Sequence, residues 1–167
     1  MKNNFYINEM SKNKNGYAVL ELLFYITFFS ILSLVVINSI IIMTRSLKET
    51  VIQAELIQGG TIMEKISREI RQANGINSID TSNLILNVNT NVTEQFLLSG
   101  SSIQFSENGI LVGNLNSSNV IITALNFTQI DTLKGKAVKV HLTIKSNKDE
   151  LARTFDFYNT VVLRGSY

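Results

Sequence analysis

Residues 17–44 read YAVLELLFYITFFSILSLVVINSIIIMT, and this stretch decides the architecture of the chain. Its 28 residues hold one carboxylate, Glu21, and no basic side chain. As a helix rising about 1.5 Å per residue it extends about 42 Å, beyond the roughly 30 Å hydrocarbon core of a bilayer. The whole chain contains no Pro to interrupt it. A membrane-spanning helix is therefore expected over residues 17–44.

The flanks assign direction and limits to that helix. Residues 1–16 carry Lys2, Lys12 and Lys14 against Glu9, and end in Lys14-Asn15-Gly16. The full sequence has 15 basic and 13 acidic side chains, so the remainder holds 12 of each and is electrically neutral. The basic excess thus precedes the apolar run, where it orients a membrane segment with its N-terminus toward the cytoplasm. A neutral remainder offers no broad phosphate-binding surface, so a nucleic-acid partner is not expected. A secretory signal would place a shorter apolar core ahead of a small-residue cleavage site. Here the order is inverted, with the small residue, Gly16, before a run that no Ala-x-Ala-like site closes.

Beyond Thr44 the composition changes twice. Residues 45–74 are charged with helical spacing, and Ile62, Ile66, Ile70 and Ala73 fall three or four apart, on one face. Glu64 with Arg68, and Lys65 with Glu69, are spaced to pair at i,i+4. The helix is expected to continue to about Asn74, with Gly75 as its stop. Gly59-Gly60 marks the expected place for a kink, since each glycine costs roughly 0.8–1 kcal/mol relative to Ala in a helix.

Residues 75–167 are rich in Asn, Ser, Thr and β-branched residues. Val138, Val140, Leu142 and Ile144 alternate with Lys139, His141, Thr143 and Lys145, a period of two that predicts a half-buried strand. Phe155 and Phe157 begin a last strand running to Leu163, and shorter strands are expected at 84–88, 96–99, 103–105, 110–112 and 120–127. Glu107-Asn108-Gly109 predicts a hairpin turn. The expected fold is α+β: a long N-terminal helix, its first half transmembrane, whose second half packs on a small antiparallel sheet. The division is a leader at 1–16, a transmembrane half at 17–44, a soluble helical half at 45–74 and a β-rich part at 75–167.

Lys14-Asn15-Gly16-Tyr17-Ala18-Val19-Leu20-Glu21-Leu22-Leu23 resembles the class III signal of type IV prepilins and pseudopilins. The resemblance implies cleavage by a prepilin peptidase between Gly16 and Tyr17, and N-methylation of Tyr17. It assigns Glu21 to assembly and register, and Leu22, Leu23 and Ile26 to the subunit-packing helix. Tyr17 stands where the family usually has Phe, and Ala18 where it usually has Thr. The segment from Ile62 to Ala73 and the tail from Phe155 to Arg164 are similar to J-type minor pseudopilins of type II secretion systems and to related minor pilins. Physical chemistry is consistent with the assignment: cleavage would place an amine at the membrane, and a carboxylate in lipid is costly without such a cation.

Other chemistry is sparse. His141 is the only histidine, on the polar face of its strand, and reads as a surface residue. The chain has no Cys and no P-loop, GxGxxG or HExxH motif. Asp149-Glu150 reads as a solvated turn rather than a calcium site, and the sequons at Asn91, Asn116 and Asn126 as chance in Asn-rich sequence. Neither a catalytic residue nor a metal or cofactor is expected. The function expected from the resemblance is that of a minor structural subunit of a pseudopilus or type IV pilus. Its partners would be prepilin peptidase, other pilins or pseudopilins, an inner-membrane assembly platform and lipid. The protein would sit in the bacterial cytoplasmic membrane as a single-pass protein with an extracytoplasmic C-terminal domain. A major pilin, or a membrane-anchored extracytoplasmic binding protein, are the alternatives.

Overall fold

The computed structural model describes residues 14–89, 91–132 and 135–164, with only the backbone of 14–16. The expected leader therefore lies outside the described residues up to position 13. Helix α1 runs over Lys14–Gln72, 59 residues without interruption. Eight strands follow: β1 (Gly75–Asp80), β2 (Asn83–Asn89), β3 (Val92–Ser99), β4 (Ser102–Glu107), β5 (Ile110–Asn114), β6 (Val120–Thr132), β7 (Gly135–Ser146) and β8 (Thr154–Val162). The arrangement is α+β, with two compact units meeting at residues 48 and 49.

The first unit is the apolar helix, with its large hydrophobic side chains exposed from Tyr17 to Leu47. It is long and apolar enough to cross a membrane. The second unit holds the core. Where one small sheet was expected there are two, both antiparallel: β1-β2-β3-β4-β5 and β6-β7-β8. They join through bonds such as Phe127 N–H to the Thr81 carbonyl, 2.9 Å, and Ile122 N–H to the Ser101 carbonyl, 3.0 Å. Strand β1 was not foreseen; Asn74 N–H donates to the Asn87 carbonyl at 2.8 Å, so the chain enters the sheet directly after the helix.

One seam of the helix organises this unit. Ile52, Leu56, Gly59, Met63, Ile66, Ile70 and Ala73 alternate in steps of four and three and are all buried, with Ile62 beside them. Such spacing keeps one side of a helix continuously against its partner. The seam meets Leu84, Leu86, Phe96, Ile103 and Phe105 from the first sheet, and β6–β8 from the second, in one cluster. In β6 the buried positions change parity, Val120 and Ile122 before the register shift and Leu125 and Phe127 after it. A bulge with one extra residue restores the apolar side chains to the core face after the strand bends.

Gly59 is a seam residue within an uninterrupted helix. A β-carbon there would lie 2.5 Å from Phe157 Cε2 and 2.6 Å from Ile144 Cδ1, whereas one at Gly60 would meet nothing within 4 Å. Helix and second sheet approach so closely that only hydrogen fits. The expected i,i+4 ion pairs give way as well. Arg68 Nη2 lies 3.3 Å from Glu69 Oε1, and Lys65 Nζ sits 4.4 Å from the centroid of the Phe105 ring.

Two adjacent glycine substitutions should thus move stability in opposite directions. Gly60→Ala should stabilise by up to about 1 kcal/mol, the helix-propensity gain at an open site. Gly59→Ala should destabilise by about 1–3 kcal/mol through overpacking against Ile144 and Phe157. Thermal denaturation of the two variants checks this; a gain in Tm for both would mean that the contact at Gly59 is not close.

Candidate functional site

The residues singled out at the start of the apolar run lie on consecutive turns of α1. Tyr17, Leu22, Leu23 and Ile26 are all exposed, Tyr17 at 72%. Glu21 is exposed too, and the Tyr25 hydroxyl donates to its Oε1 at 2.8 Å. Tyr25 is the one partner Glu21 has among the described residues. It was not singled out from sequence, although the i,i+4 spacing would have indicated it.

Four other hydroxyls of the run are treated differently. Thr27, Ser30, Ser39 and Thr44 donate to the carbonyls of Leu23, Ile26, Val35 and Ile40, at 2.7, 2.7, 2.9 and 2.9 Å. Each satisfies its polar hydrogen inside its own helix, which is what a lipid environment requires. Glu21 has no such internal solution, because a carboxylate accepts at about four positions and Tyr25 supplies one donor. The arrangement is suited to meeting a cation presented from outside the helix.

A second polar group lies in the other unit, where the loop after β7 is clasped to the helix. Arg153 Nη1 and Nη2 donate to the two oxygens of Glu49, both at 2.9 Å, and its Nε donates to Asp149 Oδ2 at 2.8 Å. Asp149 also accepts from the Leu151 and Arg153 amides, at 3.2 and 3.0 Å. Two turns along, Glu55 accepts from the Ser146 hydroxyl and faces Lys148 Nζ at 3.0 Å. The Arg153 guanidinium holds the Glu49 and Asp149 carboxyls below their ordinary range, and these two carboxylates raise Arg153 in turn. Burial opposes ionisation of Glu55, but Ser146 and Lys148 outweigh it and lower that carboxyl. Asp149 is thus occupied by its own loop and by Arg153. Among the described residues no group of three or more His, Cys, Asp or Glu side chains is placed to hold a metal.

His141 lies on the outer face of β6–β8, half-buried in a cross-strand network. Its ring stacks on Tyr158 with centroids 4.3 Å apart, and Nε2 lies 3.1 Å from Asp156 Oδ1. Thr143 Oγ1 donates to the same Asp156 oxygen at 2.6 Å and lies 3.2 Å from His141 Nε2. These two bonds lower the Asp156 carboxyl, Thr143 contributing more than His141. A nucleophile relay needs the hydroxyl and the acid on opposite ring nitrogens, whereas here both stand at Nε2. The trio therefore reads as a sheet-face network and not as a hydrolytic site. Asn116 is buried: its Oδ1 accepts from the Ile103 amide at 3.0 Å and its Nδ2 donates to the Val120 carbonyl at 2.7 Å.

No family model, curated protein or solved structure matches the chain.

The clasp sets an acid limit on the domain. Carboxyls lowered in the folded state contribute stability above their ordinary range, and that contribution is lost as pH falls through the folded values. Tm should therefore fall below about pH 4. Arg153→Met should lower Tm at pH 7 and flatten the acid limb, because Glu49 and Asp149 lose the cation that depresses them. An acid limb as steep in Arg153→Met as in the wild type would show that the clasp does not contribute.

Proposed function

We propose that the protein is a filament subunit of the type IV pilin-like class, most similar to minor pseudopilins, stored in a membrane and assembled after removal of a short basic leader. The observation that carries the reading is Glu21: one carboxylate early in an exposed 28-residue apolar run, preceded by Lys14 and Gly16 and given a single internal donor. Glu49, by contrast, has both of its oxygens met by Arg153. A half-satisfied carboxylate in an apolar helix is instead the acceptor half of a contact made with another molecule.

In this reading the peptidase cuts between Gly16 and Tyr17 on the cytoplasmic side, and Tyr17 receives an N-methyl group. The bond lies in the first turn of α1, which begins at Lys14. The first four amides of a helix have no intrahelical acceptor, so opening that turn for proteolysis costs little. Gly16 lacks a β-carbon and lets the backbone lie close to the enzyme. The amine so created on one subunit pairs with Glu21 of its neighbour. Exposed side chains such as Leu22, Leu23 and Ile26 then exchange lipid for other helices, while the α+β domain, on its own seam, supplies the filament exterior.

Mass spectrometry of the native membrane protein should find an N-methylated N-terminus at Tyr17, and Gly16→Val should leave the longer form. A native N-terminus at Met1 would rule out processing and leave a plain anchored domain. Glu21→Ala should be cleaved and inserted as the wild type is, and insertion should ease by up to ~3 kcal/mol. It should nonetheless fail to co-purify with partner subunits in sheared filaments, with Glu21→Asp intermediate. Wild-type assembly of Glu21→Ala would exclude the charge pair.

A further inference from the structure

The free edge of the five-stranded sheet combines two features that the fold itself does not use. Among the described residues strand β5 pairs only with β4, and three consecutive residues on it, Ile110, Leu111 and Val112, are 73%, 54% and 61% exposed. An edge strand carries an outward row of unpaired backbone groups, and such edges are ordinarily blunted with charge or proline. This one has no charge or proline, and only its five-residue length and one bulge blunt it. Its register shift opposite Phe105 and Ser106 leaves Val112 as the extra residue, so the regular half of the edge is the one beside the Asn108-Gly109 turn. That turn is tightly set, with φ of 51° and 79° at its two residues and Asn108 bonded to Thr93 in both directions at 2.8 and 2.9 Å.

The second feature is electrostatic and lies at the same place. The register aligns Leu86, Glu94, Glu107 and Ile110 in one row across β2–β5. Glu94 and Glu107 are thus directly opposed, a pairing that destabilises a sheet. Glu94 Oε2 is buried without a hydrogen-bond partner among the described residues. Burial, then the Glu69 and Glu107 carboxylates, push the Glu94 carboxyl up, and only Lys65 pulls it down. Arg68 is engaged by Glu69, and Lys65 lies over the Phe105 ring. The row therefore ends, at an open edge, with more carboxylates than cations.

We propose that the β5 edge accepts an extended segment of another protein as a sixth strand, one that alternates apolar residues and places a Lys or Arg beside Ile110. Backbone bonds to β5 supply affinity, Ile110 and Val112 supply apolar contact, and the basic side chain reaches over Ile110 to Glu107, which stands opposite Glu94. Charge selects this occupant over a second copy of the chain. Antiparallel self-pairing of β5 would set the uncharged Ile-Leu-Val-Gly-Asn strand against itself and leave both carboxylates as they are. The proposal does not depend on how the N-terminus is processed.

The test uses the full chain in detergent micelles and a fluorescein-labelled peptide of about nine alternating Val and Thr residues with a central Lys. Alternate N-methylation leaves the peptide one pairing edge, and a twin carries Glu in place of Lys. The Lys peptide should bind saturably by anisotropy, at least about tenfold tighter than the Glu twin. Ile110→Lys should abolish binding without lowering Tm, since that side chain is exposed, and Glu107→Lys should invert the preference. Equal affinity for the two peptides, no saturable binding of either, or an unchanged preference in Glu107→Lys overturns the proposal. Dimerisation that Ile110→Lys abolishes, with neither peptide bound, would overturn it in favour of self-pairing.

Discussion

The contact between the Ile52–Ala73 seam and the two sheets is the constraint on which the domain depends. A single helix face must serve two sheets that do not share strands, and it does so by shape more than by extra hydrophobic mass. At Gly59 the side chain vanishes so that Phe157 and Ile144 can approach the backbone. Farther along, Ile66 and Ile70 are fully buried in the same cluster as Phe96 and Phe105, whose rings lie 5.2 Å apart. Ser67 is the one buried polar residue on this part of the helix, and Asn159 Nδ2 donates to its hydroxyl at 2.7 Å, tying β8 to the seam. Close packing of this kind leaves little room to vary volume at any one position.

The same helix solves two solvation problems with two sets of partners. Between Thr27 and Thr44, the hydroxyls of Thr27, Ser30, Ser39 and Thr44 fold back on their own helix's carbonyls. From Glu49 onward its polar side chains are satisfied from a distance: Glu49 by Arg153, Glu55 by Ser146 and Lys148, and Gln58 by Ser117, whose hydroxyl donates to it at 3.0 Å. Local satisfaction suits a segment bounded by hydrocarbon, where no water can complete a bond. Long-range satisfaction suits a segment that must hold loops in place. Among those loops is the one at Ala152, whose φ of 49° is strained for a residue with a β-carbon.

Elements whose signal is local were legible in the sequence. The apolar run needs only its own residues, the Asn108-Gly109 turn follows from two positions, and β7 announces itself by alternation. The stripe at Ile62, Ile66, Ile70 and Ala73 was also legible, but its extension through Gly59 to Ile52 was not. Helix propensity counts glycine as a weak point, while the tertiary contact makes it a necessity, and propensity cannot see Phe157 across the domain. Strand β6 hid its length because its last residues, 128–132, are polar or exposed and carry no buried alternation, and the two sheets hid because neither partner order nor edge can be read from alternation. Of the two expected i,i+4 pairs, Lys65 lies over the Phe105 ring and Arg68 meets Glu69 instead. At the candidate site, the positions from Tyr17 to Ile26 came from motif, and Tyr25 was within reach of simple spacing. The Glu49–Arg153 clasp was not, because 104 residues separate its halves.

Glu21 is the one carboxylate of the apolar run, and the helix supplies it with a single donor. Its depth is shallow in chain terms, four residues past Tyr17, so a cation fixed at the start of the run would lie one helical turn away. Tyr25 engages one oxygen from one turn toward the centre, and it is the one donor to the carboxylate among the described residues. A water-filled surroundings would satisfy the rest of it without selectivity. Hydrocarbon would not, and there the carboxylate costs a few kcal/mol until a positive group arrives. A donor on one oxygen leaves the rest of the carboxylate for a cation, and under the proposed assembly that cation is the N-terminal amine of another subunit.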